Sequence, residues 1–324
     1  MKKGILITGC AGFIGYHIAN KLISNSKYNI IGVDNVNNYY DVSLKKARLK
    51  KLSLNKNFIF FKLDINNKNK ISNLCKKFNI KYIINLAAQA GIRYSYENPS
   101  EYFNANLKGF FNILEVSREN NIKHLITASS SSVYGNQKKF PIIESSNTDS
   151  PLSFYAATKK SNEIMSHSYS NIYKLPITCL RIFTAFGPYG RPDMALFKFT
   201  KNILNREKIE IFNNGKHERD FTHIDFVVDA IVGLLSKPPK KKIPFEIYNL
   251  CSSKPYKLTK FISFIENNSK IKAKKTFLPF QKGDVDKTYG SNSKLLRVIK
   301  IKKGLSLKQG INQFLDWYKS YFVK

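Results

Sequence analysis

The sequence predicts an α/β fold built on a doubly wound parallel sheet, and three observations carry that expectation. Short apolar runs alternate with helical patterns through the first half, a glycine loop separates the first run from the first helix, and an acidic residue closes the second run. The runs cover residues 5–8, 30–33, 58–63, 82–86, 125–128 and 177–182. Each is short and rich in Ile, Leu and Phe, as strands buried on both faces of a parallel sheet are. Segments starting at Gly12, Lys68, Ser100 and Leu152 read as the helices between them. Repeated βαβ units of this kind wrap helices over both faces of one sheet.

The pattern loosens after Arg181, where Pro188, Pro192, Pro238, Pro239, Pro244, Pro255 and Pro279 punctuate shorter elements. Residues 1–182 are therefore expected to form a dinucleotide-binding domain of Rossmann type. A helix over 222–236 and a strand over 245–250 are expected to return to its sheet, so the returns span about 222–250. Residues 183–324 are expected to form most of a smaller C-terminal substrate-binding lobe over the carboxyl edge.

Bulk properties narrow the function classes. At 324 residues and 43% hydrophobic content the chain is globular. The net charge of +32 admits nucleic acid, a membrane surface or an acidic ligand. Lysine outnumbers arginine 46 to 8, however, and is scattered, with only short clusters such as residues 240–242. Specific nucleic-acid readers rely on the arginine fork, so no specific nucleic-acid partner is expected. Abundant Lys, Asn and Ile share AT-rich codons, and the lysines read as solvated surface. No stretch approaches the apolar length of a membrane span, and the opening run stops at Thr8-Gly9, too soon for a signal-peptide core. Cys10, Cys75, Cys179 and Cys251 show no Cys-x-x-Cys pairing. They read as reduced thiols of a cytoplasmic protein. The five histidines have no metal-ligand spacing, so no metal is expected.

The loop Thr8-Gly9-Cys10-Ala11-Gly12-Phe13-Ile14-Gly15 follows a strand and opens a helix. Glycines there let the backbone turn tightly and approach a pyrophosphate at the helix N-terminus. Asp34 ends the second run, 19 residues past Gly15, where a carboxylate binds adenosine ribose hydroxyls and repels a 2′-phosphate. NAD is the expected cofactor. Asn35, Asp64, Ile65, Ala87 and Ala88, at the ends of the second, third and fourth runs, complete the candidate cofactor wall. Asp64 has the alternative role of capping the next helix.

Tyr155 and Lys159 are four residues apart, so on a helix they share a face. An ammonium beside a phenol favours the phenolate by roughly 1–3 pK units, which would make Tyr155 a base near neutral pH. Upstream, Ser129, Ser130, Ser131 and Ser132 stand at a strand end, on the edge where open α/β sheets bind ligands. Ser130 is the candidate proton relay, and Ser129 and Ser131 are candidate substrate contacts. Together these groups spell hydride chemistry on an alcohol, with Tyr155, Lys159 and Ser130 catalytic.

These motifs resemble the extended short-chain dehydrogenase/reductase superfamily and its nucleotide-sugar epimerases. Longer strings sharpen the likeness: Ala87-Ala88-Gln89-Ala90-Gly91-Ile92-Arg93-Tyr94-Ser95, Asn98-Pro99, Gly187-Pro188-Tyr189-Gly190-Arg191-Pro192-Asp193-Met194-Ala195 and Arg219-Asp220-Phe221-Thr222-His223-Ile224-Asp225. Over nearly the whole chain they are similar to the UDP-glucuronate 4-epimerases. The resemblance implies a UDP-sugar substrate and transient oxidation at C4. It implies that Thr184 and the serine tract face the sugar carboxylate, that Arg93 contacts substrate, and that Arg191 and Arg219 hold the diphosphate. Tyr155 would contact both cofactor and sugar, and Lys159 the cofactor. Related decarboxylases and 4,6-dehydratases carry an acid just before Val-Tyr-Gly, where this chain has Ser132. The chain departs from the family at Asp225-Phe226, where two acids are usual, and near Ser291-Asn292, where one is. The residues alone read Thr222 and Asp225 as a capping box.

Other readings stay open at this point. They are the same chemistry on a neutral or N-acetylated UDP-hexose, a net oxidoreductase, and a non-catalytic NAD-binding regulator or nucleic-acid binder. A homodimer is expected, because the two long helices, about 100–121 and 152–173, carry apolar residues beyond the needs of one sheet face. Phe103, Leu107, Phe110 and Phe111 are examples.

Overall fold

The computed structural model describes residues 2–24, 27–281, 283–301 and 304–323. Its strands are β1 (Lys3–Thr8), β2 (Tyr28–Asp34), β3 (Phe58–Lys62), β4 (Ile80–Asn85), β5 (His124–Ser130), β6 (Ile177–Ile182), β7 (Thr184–Phe186), β8 (Lys208–Ile211), β9 (Glu218–His223), β10 (Phe245–Leu250), β11 (Pro255–Lys257) and β12 (Lys274–Phe277). Seven of them form one parallel sheet in the order β10-β6-β5-β4-β1-β2-β3. The order reverses between β1 and β4, which opens a crevice at their carboxyl ends, the position where doubly wound sheets bind ligands.

Alternation along each strand explains the two-faced core. Ile5 and Ile7 of β1 point into one buried cluster and Leu6 into the other. The same split separates Ile30 from Ile31 and Val33, Ile84 from Ile83, and Ile126 from Leu125. A side-chain period of two sends neighbours to opposite faces, so a run apolar at every position needs cover on both.

All six expected runs are strands, and β10 joins the sheet beside β6 as expected. A crossover helix, Val42–Ser53, escaped the sequence reading. Its Lys45, Lys46, Arg48, Lys50 and Lys51 hide the apolar stripe of Leu44 and Leu52, yet Lys45 and Arg48 are themselves buried. The helix expected from Ser100 is three pieces: Pro99–Tyr102, a π-helical turn Phe103–Lys108, and Gly109–Glu119. The wider turn presents Asn106, whose amide accepts from Gln89 N and donates to Gln89 O and to Thr158 Oγ1. π-turns of this kind recur at functional sites.

The helix carrying Tyr155 spans Phe154–Tyr173 and starts where the Ser153 hydroxyl accepts from Ala156 N. The Thr222/Asp225 capping box does not form. Thr222 lies in β9, and His223 caps the helix Ile224–Leu235, its ring accepting from Asp225 N. That helix packs against Phe13–Ile23. Beyond β6, β7, β9 and β11 form a three-stranded sheet, and β8 and β12 a parallel pair. The last helix, Leu307–Phe322, opens with a capping box of Ser306 and Gln309. All four cysteines are buried and free. No helix among the described residues is long and apolar enough to cross a membrane.

Candidate active site

A cavity of about 1330 Å³ opens at the carboxyl ends of the central strands and reaches across to β7, β8 and β9. Gly9, Gly12, Phe13, Ile14, Gly15, Asp34, Asn35, Asp64, Ile65, Ala87 and Ala88 all line it, so the expected cofactor residues converge. Gly9 has a φ of 71°, and a Cβ there would stand 2.8 Å from Ala87 N; at Gly15 it would stand 2.2 Å from Gly9 O. Only glycine fits either place. The helix Phe13–Ile23 starts at Gly12 without a side-chain cap, which leaves its first N–H groups for a ligand anion. Asp34 accepts from Ala11 N at 3.1 Å and Val36 N at 2.8 Å. Burial raises its carboxyl above the usual range, opposed by those bonds and by Lys45. The Asp64 carboxylate accepts from Asn35 Nδ2 and Asn66 N, and Asn67 is the cap of the following helix. The glycines without room for a Cβ, the uncapped helix start and the strand-end Asp34 fit a dinucleotide.

Tyr155, Lys159 and Ser130 meet deeper in the cavity. The Ser130 side chain lies near enough to the Tyr155 phenol to favour its ionised form, and the phenol ring meets Tyr102 edge-on at 6.1 Å. Burial pushes the phenol up, opposed by Ser130 and the charge of Arg191. Lys159 donates to the Ala128 carbonyl at 2.9 Å, and burial lowers its ammonium to about 8. Ser132 N donates to Ser130 Oγ, which fixes the turn after β5. Ser131 lines the cavity. Ser129 also lines the cavity, and its hydroxyl donates to Glu163 at 2.6 Å, which is paired with Arg181 at 2.8 Å.

The wall beyond β6 carries the cations. Arg191 is paired with Asp193, which also accepts from the Tyr39 hydroxyl. Its guanidinium acts on Tyr155 and lies over the Tyr39 ring. Arg191 therefore stands within electrostatic reach of the phenol. Arg93 stacks on Phe212 at 4.8 Å and pairs with Asp284 at 3.7 Å. Arg219 donates to the carbonyls of Glu218 and Asp286. Its guanidinium is lowered by burial, opposed by Asp284 and Asp286. Thr184 opens β7 on the same wall. Among the described residues no group of three or more His, Cys, Asp or Glu side chains is arranged to hold a metal.

Residues 5–251 match the model of the NAD dependent epimerase/dehydratase family. The chain belongs to this family. It is 48% identical to Protein CapI of Staphylococcus aureus, with 99% of each chain covered. It is 40% identical to a probable UDP-glucuronate 4-epimerase of Rhizobium meliloti, covering 97% of this chain and 96% of that one. Among solved structures it is similar to the UDP-glucuronic acid 4-epimerase of Bacillus cereus in complex with UDP-glucuronic acid and NAD. That likeness has a TM-score of 0.93 and 33% identity, and covers 98% of this chain and 100% of that one.

Within this member of the NAD dependent epimerase/dehydratase family, the residues expected from sequence share one cavity with many lining residues that were given no role, Tyr39, Asp193, Phe212 and Asp284 among them. These four are scattered along the chain and meet only through folding. The spacing Arg191-Pro192-Asp193 was a readable signal for an internal ion pair. The departures at Asp225-Phe226 and Ser291-Asn292 lie outside the cavity lining. Asp225 faces His223, and Ser291 N donates to Ile142 O.

Proposed function

We propose that this chain interconverts UDP-glucuronate and UDP-galacturonate by NAD-dependent 4-epimerisation. The observation that carries the reading is the end-to-end likeness to a solved 4-epimerase that binds UDP-glucuronic acid and NAD. The convergence of Tyr155, Ser130 and the glycine loop on one cavity supports it. When bound, NAD would supply a reversible hydride acceptor for the sugar C4, held by the glycine loop and Asp34. The chain's own residues manage the proton and the grip. Tyr155 takes the proton from the 4-hydroxyl and returns it, Ser130 hydrogen-bonds the phenol, and Lys159 braces the helix and supplies positive charge. Arg191 faces the sugar end. Arg93 and Arg219 form the cationic wall for the diphosphate, and Thr184 with Ser131 donates to the carboxylate. Asp34 binds the adenosine ribose. A firm grip on the nucleotide and a loose one on the sugar let the oxidised sugar present its other face.

Ser132 supports epimerisation over decarboxylation or dehydration, since its hydroxyl accompanies Ser130 and offers no acid there. The division at residue 182, with the later part gripping the UDP-sugar, belongs to this reading. So do a cytoplasmic location and a role in supplying polysaccharide biosynthesis. A homodimer also belongs to it. Phe103, Phe111, Ile164, Ile172 and Tyr173 are exposed on the two long helices, whereas Phe110 is core. A monomeric mass at micromolar concentration would contradict the dimer.

The test is incubation of the purified protein with UDP-glucuronate, without added NAD, followed by anion-exchange separation. UDP-galacturonate is expected. No conversion with or without NAD would overturn the reading, and a dominant UDP-pentose would overturn the argument from Ser132.

A further inference from the structure

Arg48 lies on the helix that the sequence hid, and its side chain is fully buried. It forms no ion pair among the described residues. Its two terminal nitrogens bond oxygens from three segments, while Nε is buried without a partner among the described residues. Nη1 donates to Ala11 O at 2.8 Å and to the Tyr40 hydroxyl at 2.7 Å; Nη2 donates to Tyr189 O at 2.6 Å and Gly190 O at 3.3 Å. Ala11 sits inside the glycine loop, between Gly9 and Gly12. Tyr189 and Gly190 immediately precede Arg191. One planar fork thus spans the loop that shapes the cofactor end and the turn that presents a substrate cation.

That turn does not hold its shape cheaply. Tyr189 has a φ of 57° and Gly187 a φ of 147°. A side chain in the left-handed region is strained and persists only where its surroundings fix it. Burying a cation without a carboxylate is costly as well. A lysine has a single point of donation, whereas the guanidinium offers several donors in fixed directions. A merely structural role would be met by packing the helix on Leu44 and Leu52.

We infer that Arg48 is a positioning residue that couples the two ligand sites: a dinucleotide that orders the glycine loop also sets, through Arg48, the turn bearing Arg191, so nucleotide-sugar binding tightens. The inference rests on the proposed function, because it assigns those two walls to cofactor and substrate. Coupling of this kind is reciprocal: each ligand raises the affinity of the other by the same factor.

The experiment is a calorimetric titration of UDP-glucuronate into the full chain, stripped of nucleotide and then either left so or saturated with NADH. NADH is used because it binds without accepting hydride. The wild type is expected to bind at least about fivefold more tightly with NADH, a coupling of roughly 1 kcal/mol. Arg48→Lys keeps a buried cation but loses the fork, and its ratio is expected to fall to within about twofold of unity. Tyr40→Phe, which removes a single hydroxyl from the cluster, is expected to lose part of the coupling and serves if Arg48→Lys does not fold. Absence of UDP-glucuronate binding in both wild-type states would sink the proposed function itself. Binding with no NADH dependence, or a folded variant that keeps the wild-type ratio, would overturn the coupling alone. A uniform loss of affinity with the ratio preserved would mark Arg48 as structural and also overturn it.

Discussion

Lys159 donates to the main-chain carbonyl of Ala128 at 2.9 Å, so the helix bearing Tyr155 is tied to β5 just before the serine tract. The bond sets the distance between the phenol and Ser130. It also places the ammonium where burial lowers it to about 8.

Lys159 should therefore make stability depend on pH in a defined window. Its folded pKa, about 8, lies below the ordinary lysine value of 10.5. Between those values the unfolded chain binds a proton that the folded chain does not, so this group adds stability as pH rises from about 8 to 10.5. Lys159→Met should lack that gain. The difference in urea-unfolding free energy between variant and wild type, both free of cofactor, should shrink by about 2–3 kcal/mol from pH 8 to pH 10.5. A difference that stays constant would refute the assignment.

Tyr155→Phe should cost about 10²–10⁴ in turnover, the usual scale for a lost general base. The side chain that acts most on the phenol is Ser130, assigned above to the proton relay and not to cofactor binding. NAD retention should therefore be unchanged, read from the absorbance of nucleotide released by acid. More than about a tenth of wild-type turnover would exclude Tyr155 as the base.

Glu163→Gln should destabilise the protein by about 3–5 kcal/mol, because it leaves the Arg181 charge buried without its carboxylate. Arg181→Met in the same chain should recover part of the loss, since an apolar pair removes the unpaired charge. Denaturant midpoints of the two single variants and the double variant test this. Strict additivity would mean that the pair does not act as a unit.

Thr184→Val should narrow the preference for UDP-glucuronate over UDP-glucose by about tenfold in kcat/KM, the scale of one hydrogen bond to a charged group. NAD retention should not change. An unaltered preference would leave Thr184 as packing at the start of β7.

The sequence by itself determined the sheet, the cofactor loop and the Tyr155/Lys159 pair. Each rests on local rules: apolar runs of strand length, glycines where a Cβ has no room, and a four-residue spacing on one helix face. Those rules act over a few residues and survive any reading of the rest. Tertiary structure decided the remainder. The helix Val42–Ser53 was hidden because Lys45 and Arg48 are charged yet buried, and only contacts with distant carbonyls reveal why. Arg191 meets Tyr155, and Ser129 turns to Glu163, through segments far apart in the chain. The four-residue spacing put Lys159 and Tyr155 on one helix face. The fold added a main-chain carbonyl for the lysine and brought the charge of Arg191 within reach of the phenol, because electrostatics follows distance in space and not only spacing in sequence.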